Sequence, residues 1–277
     1  MRIRAAVAAV SGALALSALA LPAAQADEIP GAALAPFSGK APADEIQGDT
    51  AITKVVVNAG KDIVLGTTSS KTITVTVTAT DPSDIADGYA MLWHGTSLTQ
   101  AGIDGLLAPS AENGTCTAVS ATTSTCKVSI VVDPRVDLYK NALAGTWKVW
   151  AAAAANDGDF VVKEAYSTAK VKRAAKVTVN ASPEPVRKGG TLTVTGKLSR
   201  ANWETHDYRG YAGQSVQLQF RKKGATAYTT VRTVKSSSTG TLKTTITASV
   251  DGYSRFSFAG TSTTGTAVAA GDFVDVS

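Results

Sequence analysis

Threonine alternates with branched aliphatic residues along this chain so regularly that antiparallel β-structure is the one regular arrangement that satisfies both sets. Ile73, Val75 and Val77 alternate with Thr72, Thr74, Thr76 and Thr78, and Leu192, Val194 and Leu198 alternate with Thr191, Thr193, Thr195 and Lys197. A period of two places one set on a buried face and the other in water. The stretch 177–198, VTVNASPEPVRKGGTLTVTGKL, reads as two strands joined by a Pro-Glu-Pro corner and a Lys-Gly-Gly turn. Pro183 and Pro185 cannot donate to a ladder, so they end the first strand and suit a sheet edge. One β-domain precedes this seam and another follows it.

Arg2 and Arg4 stand before an apolar run from Ala5 to Leu21, and the small-residue site Ala24-Gln25-Ala26 follows. This pattern predicts a signal peptide over 1–26, cleaved before Asp27, and a secreted, extracellular protein. The run is short of the roughly 20 apolar residues a bilayer needs, and no later stretch could span one. Residues 27–49 hold Pro30, Pro36 and Pro42 without a sustained apolar period and read as a flexible leader.

Residues 50–173 read as an N-terminal β-sandwich. Its strands run through Ile52–Val57, Ile73–Thr78, Tyr89–His94, Cys126–Val132, Gly145–Trp150 and Phe160–Val171, with a short helix expected over Leu98–Leu107. The odd spacing of Trp147 and Trp150 sends them to opposite faces, so at most one belongs to the main core. Residues 174–277 read as a C-terminal immunoglobulin-like β-sandwich. About seven short strands with regular turns over some 100 residues fit that architecture.

Removing Arg2 and Arg4 leaves a net charge of +3, which hides a division. Residues 27–173 carry 12 basic and 16 acidic residues, whereas 174–277 carry 13 and 6. The C-terminal half, at +7, should prefer anionic surfaces. Cys116 and Cys126 are the two cysteines, and in an oxidising compartment they are expected to form one disulfide closing a short hairpin, with Cα atoms roughly 4.4–6.8 Å apart.

Four segments, VTVNASPEPVRKGGTLTVTGKL, SVQLQFRKKG, TGTLKTTITA and DGYSRFSFAG, resemble bacterial immunoglobulin-like sandwich modules. With TATDPSDIADGYAMLWHG and LAGTWKVWAAAAANDGDFVVKE, the mature chain is similar to small secreted actinobacterial two-domain proteins, often labelled hypothetical or calcium-binding. The resemblance implies two tandem all-β, immunoglobulin-like antiparallel sandwiches and no established activity. Both cysteines follow Trp93 and sit close together, so they are not the inter-sheet pair of antibody domains.

Little points to catalysis. The histidines are His94 and His206, and no G-x-S-x-G elbow, H-E-x-x-H pair or phosphate-binding glycine loop occurs. The chain therefore reads as a non-enzymatic extracellular binding or structural module. Calcium is the alternative, because hard cations want clustered oxygens. Asp81, Ser83, Asp84 and Asp87 share one loop and Asn156, Asp157 and Asp159 another, although turns use the same residues; the resemblance favours Asp81, Asp84 and Asp87. No other cofactor is expected.

The segment 200–212, RANWETHDYRGYA, brings Trp203, His206, Tyr208 and Tyr211 together with Arg200 and Arg209. It is either a recognition surface, since such residues are enriched in hot spots, or a loop whose aromatics cover the core. Arg187, Lys188, Arg221, Lys222 and Lys223 lie at turns, where solvated charge is ordinary, so nucleic acid is not an expected partner. Anionic cell-wall polymer or polysaccharide is.

Overall fold

A computed structural model describes residues 44–111 and 113–277; the expected signal peptide over 1–26 and leader residues 27–43 lie outside the described residues. Helix among the described residues amounts to two single 3-10 turns, Asn58–Gly60 and Asn141–Leu143. The rest of the ordered backbone is strand and turn, as the threonine alternation requires.

The chain divides into two compact units, each assembled from separate segments. The first comprises the described residues up to Ile63 together with Ser70–Asp133 and Thr146–Lys170; the second comprises Val64–Ser69, Pro134–Gly145 and Val171–Ser277.

In the first unit, β1 (Glu45–Gln47), β2 (Ala51–Val57), β4 (Lys71–Thr80), β5 (Ile85–Gly95), β6 (Ile103–Leu107), β7 (Thr115–Ser120), β8 (Thr123–Val132), β9 (Gly145–Ala155) and β10 (Phe160–Arg173) form two sheets, and β3 (Ile63–Leu65) pairs with β10. One sheet has the order β1-β10-β9-β5-β6 and the other β2-β4-β8-β7. They meet through Ala79 of β4, Cys126 of β8, Ile85 of β5, Ala153 of β9 and Val161 of β10, which form one buried cluster. Ile73, Val75 and Val77 are buried while the intervening threonines are not, as their period predicts.

Three expectations for this region change. Glu45–Gln47, placed in the leader by sequence, pairs antiparallel with Phe160–Val162 as an edge strand. The helix expected over Leu98–Leu107 is replaced by β6, whose Leu107, Leu106 and Gly105 lie opposite Leu92, Trp93 and His94. A ladder with β5 satisfies its backbone groups, and Gly102 and Gly105 weaken a helix there. Finally, Trp147 and Trp150 are both fully buried. They do take opposite faces, but the strand is covered on each. Trp150 packs edge-on against Tyr89, 6.1 Å between centroids, in a cluster with Met91, Trp93, Leu98, Ala152 and Val162. Trp147 packs on the other face near His94, at 5.5 Å.

In the second unit, β11 (Ala175–Val177), β12 (Asn180–Ser182), β13 (Thr191–Asn202), β14 (Asp207–Gly210) and β17 (Thr241–Thr247) form one sheet around the long β13. The facing sheet holds β15 (Ser215–Lys222), β16 (Thr229–Lys235), β18 (Gly252–Phe258), β19 (Ala267–Val268) and β20 (Asp272–Val274), in the order β16-β15-β18-β19 with β20 on β18. Leu192, Val194 and Leu198 of β13 and Leu242 of β17 meet Val216 and Leu218 of β15 and Phe256 and Phe258 of β18 in a single core. Each such fully buried side chain contributes about 1.5–3 kcal/mol. The first strand of the seam is broken: β11 pairs with Leu198–Arg200 and β12 with Thr193–Thr195, and β12 stops at Ser182, immediately before the two prolines. Pairing in both sandwiches is antiparallel throughout the registered strands, so the all-β, two-sandwich reading of the sequence holds.

Candidate functional site

The disulfide is present. Cys116 on β7 and Cys126 on β8 are directly opposed in the ladder and joined, with Cα atoms 3.8 Å apart, closer than the expected window. Cys126 faces the sandwich core and Cys116 packs against the same cluster. The hairpin turn at 121–122 sets the register that brings them face to face.

The two acidic loops treated separately in sequence lie together. Asn156 Nδ2 donates to the Ser83 carbonyl at 2.9 Å, and the Asn156 N–H donates to the Asp84 carbonyl at 3.1 Å. This junction places Asp159 beside Asp81, and Asp49 completes the group: carboxylate oxygens of Asp49, Asp81 and Asp159 lie within 4.8 Å of one another. Asp81 is buried, and its oxygens accept from Thr50 Oγ1 at 2.6 Å, Ser83 Oγ at 2.7 Å and the Ser83 N–H at 2.8 Å. Burial pushes its carboxyl up, but these hydrogen bonds outweigh burial and hold it below the usual carboxylate range. Asp49 moves the other way, raised by desolvation and then by the negative charges of Asp81 and Asp159.

Asp84 and Asp87 are engaged elsewhere. Asp84, at a positive φ of 68° that Asp tolerates, accepts from the Ile85 N–H at 2.7 Å and Ser124 Oγ at 3.0 Å. Asp87 is buried and accepts from the Gly88 and Gly114 N–H groups at 2.7 and 3.0 Å, tying the loop before Cys116 to β5. Burial raises its carboxyl above the ordinary value against the pull of those two donors. The sequence therefore named two members of the acidic group, Asp81 and Asp159, in separate loops, and missed Asp49. Asp49 and Asp159 are 110 positions apart, and no local spacing could have joined them.

The segment 200–212 forms a hairpin in which Asn202, Ala201, Arg200 and Ser199 of β13 oppose Asp207, Tyr208, Arg209 and Gly210 of β14. Trp203 starts its turn but points inward: it is fully buried, and its Nε1 donates to the Gly66 carbonyl at 2.9 Å. This removes Trp203 from the candidate recognition surface and makes it a core residue. Its backbone N–H donates to Asn141 Oδ1 at 3.0 Å, and Asn141 Nδ2 donates to Asn202 Oδ1 at 2.7 Å.

The remaining members are arranged around cations. The Arg200 guanidinium lies 4.0 Å from the Tyr211 ring centre, and Lys176 Nζ lies 3.9 Å from that of Tyr208. Tyr211 also packs edge-on against Phe258 at 5.8 Å and is partly covered by the core. Burial raises the Tyr208 phenol above its ordinary value. His206 is exposed in the turn at φ 56°, and Arg209 pairs with Asp207 at 3.1 Å. Beneath the hairpin, the buried Arg173 donates from Nε to the Ala201 carbonyl at 2.5 Å; burial, then the neighbouring Arg200, brings its guanidinium down to about 10. It stays cationic at neutral pH.

His94, the other histidine, is bonded through Nδ1 to Asp104 Oδ1 at 2.5 Å and packed on Trp147. It serves the β5–β6 pairing.

No family model matches the chain, and no curated protein matches it. Among solved structures, the fibronectin(III)-like modules of Clostridium thermocellum CbhA are similar over 80% of this chain and 93% of theirs, at 12% identity and a TM-score of 0.32. The D00-D0 domain of intimin is similar over 80% and 99%, at 16% identity and a TM-score of 0.26. The ectodomain of mouse nectin-like molecule 4, Ig1–Ig3, is similar over 86% and 65%, at 13% identity and a TM-score of 0.23. The architecture of this chain follows from its own strand pairing.

Proposed function

We propose that this protein is an exported, non-enzymatic binding module whose C-terminal sandwich associates with anionic polymer of the cell envelope. The observation that carries the reading is the division of charge: −4 over residues 27–173 against +7 over 174–277. A field of one sign concentrated on one part of a chain raises the local concentration of polyanions. The disulfide supports export, because such bonds persist in oxidising compartments.

The test is sedimentation of the mature chain with purified envelope polymers, anionic and neutral, between about 0.05 and 0.5 M salt. Binding to the anionic polymers that falls as the Debye length shortens supports the reading. Equal binding to neutral glucan, or none to any polymer, refutes it. Intact-mass measurement of the exported protein decides the processing site, with a mature N-terminus at Asp27 as the expected result.

A second reading rests on the acidic group. Asp49, Asp81 and Asp159 bring three carboxylates within one cation's reach, and a divalent ion would relieve the repulsion among them. They would supply part of the six to eight oxygens calcium takes. Millimolar calcium should then raise the melting temperature of the wild type but not of Asp49→Asn. An identical melting curve with and without calcium would leave these residues as hydrogen-bonding turn formers.

A further inference from the structure

The outer face of the β16-β15-β18 sheet carries a ladder of cations and rings that the sequence gives no reason to expect. Along β15 the side chains of Gln217, Gln219 and Arg221 face away from the core, whereas Val216 and Leu218 face into it. On β18 Tyr253 and Arg255 face out, alternating with Ser254, Phe256 and Phe258 inside. The registers Arg221↔Tyr253, Gln219↔Arg255 and Tyr253↔Phe273 place these side chains in two adjoining cross-strand rows. Such directly opposed residues are close enough to touch.

They do touch. The Arg255 guanidinium lies 3.7 Å from the centre of the Tyr228 ring, and Arg221 lies 4.3 Å from Tyr253 and 5.2 Å from Tyr228, so Tyr228 is shared by two guanidinium groups. Tyr253 packs on Phe273 at 5.2 Å. Tyr228 is set in place by Gly271, since a Cβ there would fall 2.2 Å from the Tyr228 hydroxyl. Each guanidinium is also anchored by one hydrogen bond: Arg255 Nε donates to Gln219 Oε1 at 2.9 Å, and Arg221 Nη1 donates to the Ala225 carbonyl at 2.6 Å.

No carboxylate among the described residues pairs with either arginine. The nearby acids are used: Asp251 accepts from Lys223 at 3.3 Å and from the Val276 N–H at 3.0 Å, and Asp272 accepts from the Ala181 N–H at 2.6 Å. Two planar cations held flat on rings, each with one donor engaged, leave N–H forks free to take planar anions. Beside them Gln217, Gln219 and Thr230 form a polar row, linked by Gln219 Nε2 to Gln217 Oε1 at 3.2 Å and Thr230 Oγ1 to Gln217 Oε1 at 3.3 Å.

Resting on the envelope-binding reading above, we infer that this face is the polymer site and that its ligand is an acidic polysaccharide, carboxylates on the Arg221 and Arg255 forks and hydroxyls on the glutamine row. The alternative polymer, single-stranded nucleic acid, binds by stacking bases on open rings. Here the faces of Tyr228 and Tyr253 are taken by the guanidinium groups. A uronate chain needs only the edges of those groups and neighbours that bond hydroxyls.

The experiment measures binding of the mature chain to immobilised polygalacturonate, its methyl-esterified form and an oligothymidylate. Three proteins are compared: the wild type, Arg221→Gln/Arg255→Gln, and the charge-matched control Arg187→Gln/Lys188→Gln, whose sites are exposed and take no part in the ring contacts of the ladder. The expected result is binding to polygalacturonate, loss on esterification, about a tenfold or greater weakening in the ladder variant and less than about threefold in the control. Equal weakening in both variants overturns the site while leaving the envelope-binding reading standing, because net charge alone then accounts for it. Oligothymidylate binding as tight as polygalacturonate overturns the ligand class. A wild type that binds no anionic polymer overturns both. If the ladder variant melts early, Arg221→Lys/Arg255→Lys decides, since it keeps charge and removes the planar fork; unchanged affinity in that variant overturns the site.

Discussion

Replacing Trp203 by alanine should destabilise the second unit, and the structure sets the size of the effect. The indole is fully enclosed, and its Nε1 satisfies the Gly66 carbonyl at 2.9 Å. Truncating a buried tryptophan costs about 3–5 kcal/mol through lost transfer energy and the cavity left behind. Leaving the Gly66 carbonyl without its donor adds about 1 kcal/mol if water does not reach it. Trp203→Phe separates these contributions, because it keeps most of the apolar ring and loses the donor; about 1–3 kcal/mol is expected there. A loss near 4 kcal/mol corresponds to a fall of about 15 °C in the melting temperature of a domain this size. Differential scanning calorimetry is the suitable assay, because Trp93, Trp147 and Trp150 belong to the first unit and the substitution removes the second unit's one tryptophan. The transition assigned to the second unit should move while that of the first stays in place. A shift below about 3 °C for Trp203→Ala would refute the core assignment and return the residue to the surface.

Opening the Cys116–Cys126 bond, by reductant or by Cys116→Ala/Cys126→Ala, should lower the first unit's stability by about 2–3 kcal/mol, the loop-entropy value for a separation of ten residues. Equal melting curves under oxidising and reducing conditions would contradict this. Gly88→Ala should cost about 1–3 kcal/mol, because the added Cβ would stand 2.7 Å from Cys126 Cβ; a melting temperature equal to that of the wild type would refute it. Asp81 is held below its ordinary value of 3.8, so the folded state binds its proton less readily than the unfolded chain. Its contribution is therefore complete above about pH 4 and is lost as pH falls through the folded value, which Asp81→Asn should show as a flatter acid limb in urea titrations.

Strand positions were legible wherever one face is buried and the other wet. The alternation in 71–80 and 191–198 fixed both strand and facing, and the prolines at 183 and 185 marked where β12 ends. The same rule misjudged Trp147 and Trp150, because it assumes one dry face. Residues 149–155 are buried without exception, and a strand dry on both sides carries no alternation to read. Segment membership failed for a related reason. Val64–Ser69 and Pro134–Gly145 belong with residues 171–277, and the contacts that place them, such as Trp203 to Gly66, span 137 positions.

The candidate sites follow the same division between local and cross-strand information. A local cluster such as 200–212 draws attention because its aromatic and basic residues are adjacent in sequence, yet adjacency spends them on different tasks: Trp203 on the core, Arg209 on Asp207, His206 on the turn. The ladder of Arg221, Tyr228, Tyr253, Arg255 and Phe273 is scattered over more than fifty positions and becomes contiguous only through the register of β15, β18 and β20. The acidic group is similar, since pairing of β1 with β10 is what carries Asp49 to Asp159. On an antiparallel sheet a surface is built from residues that share a row, and rows run across the chain. Neighbours along one strand alternate between core and solvent, so a functional face on such a scaffold should leave no continuous motif in the sequence.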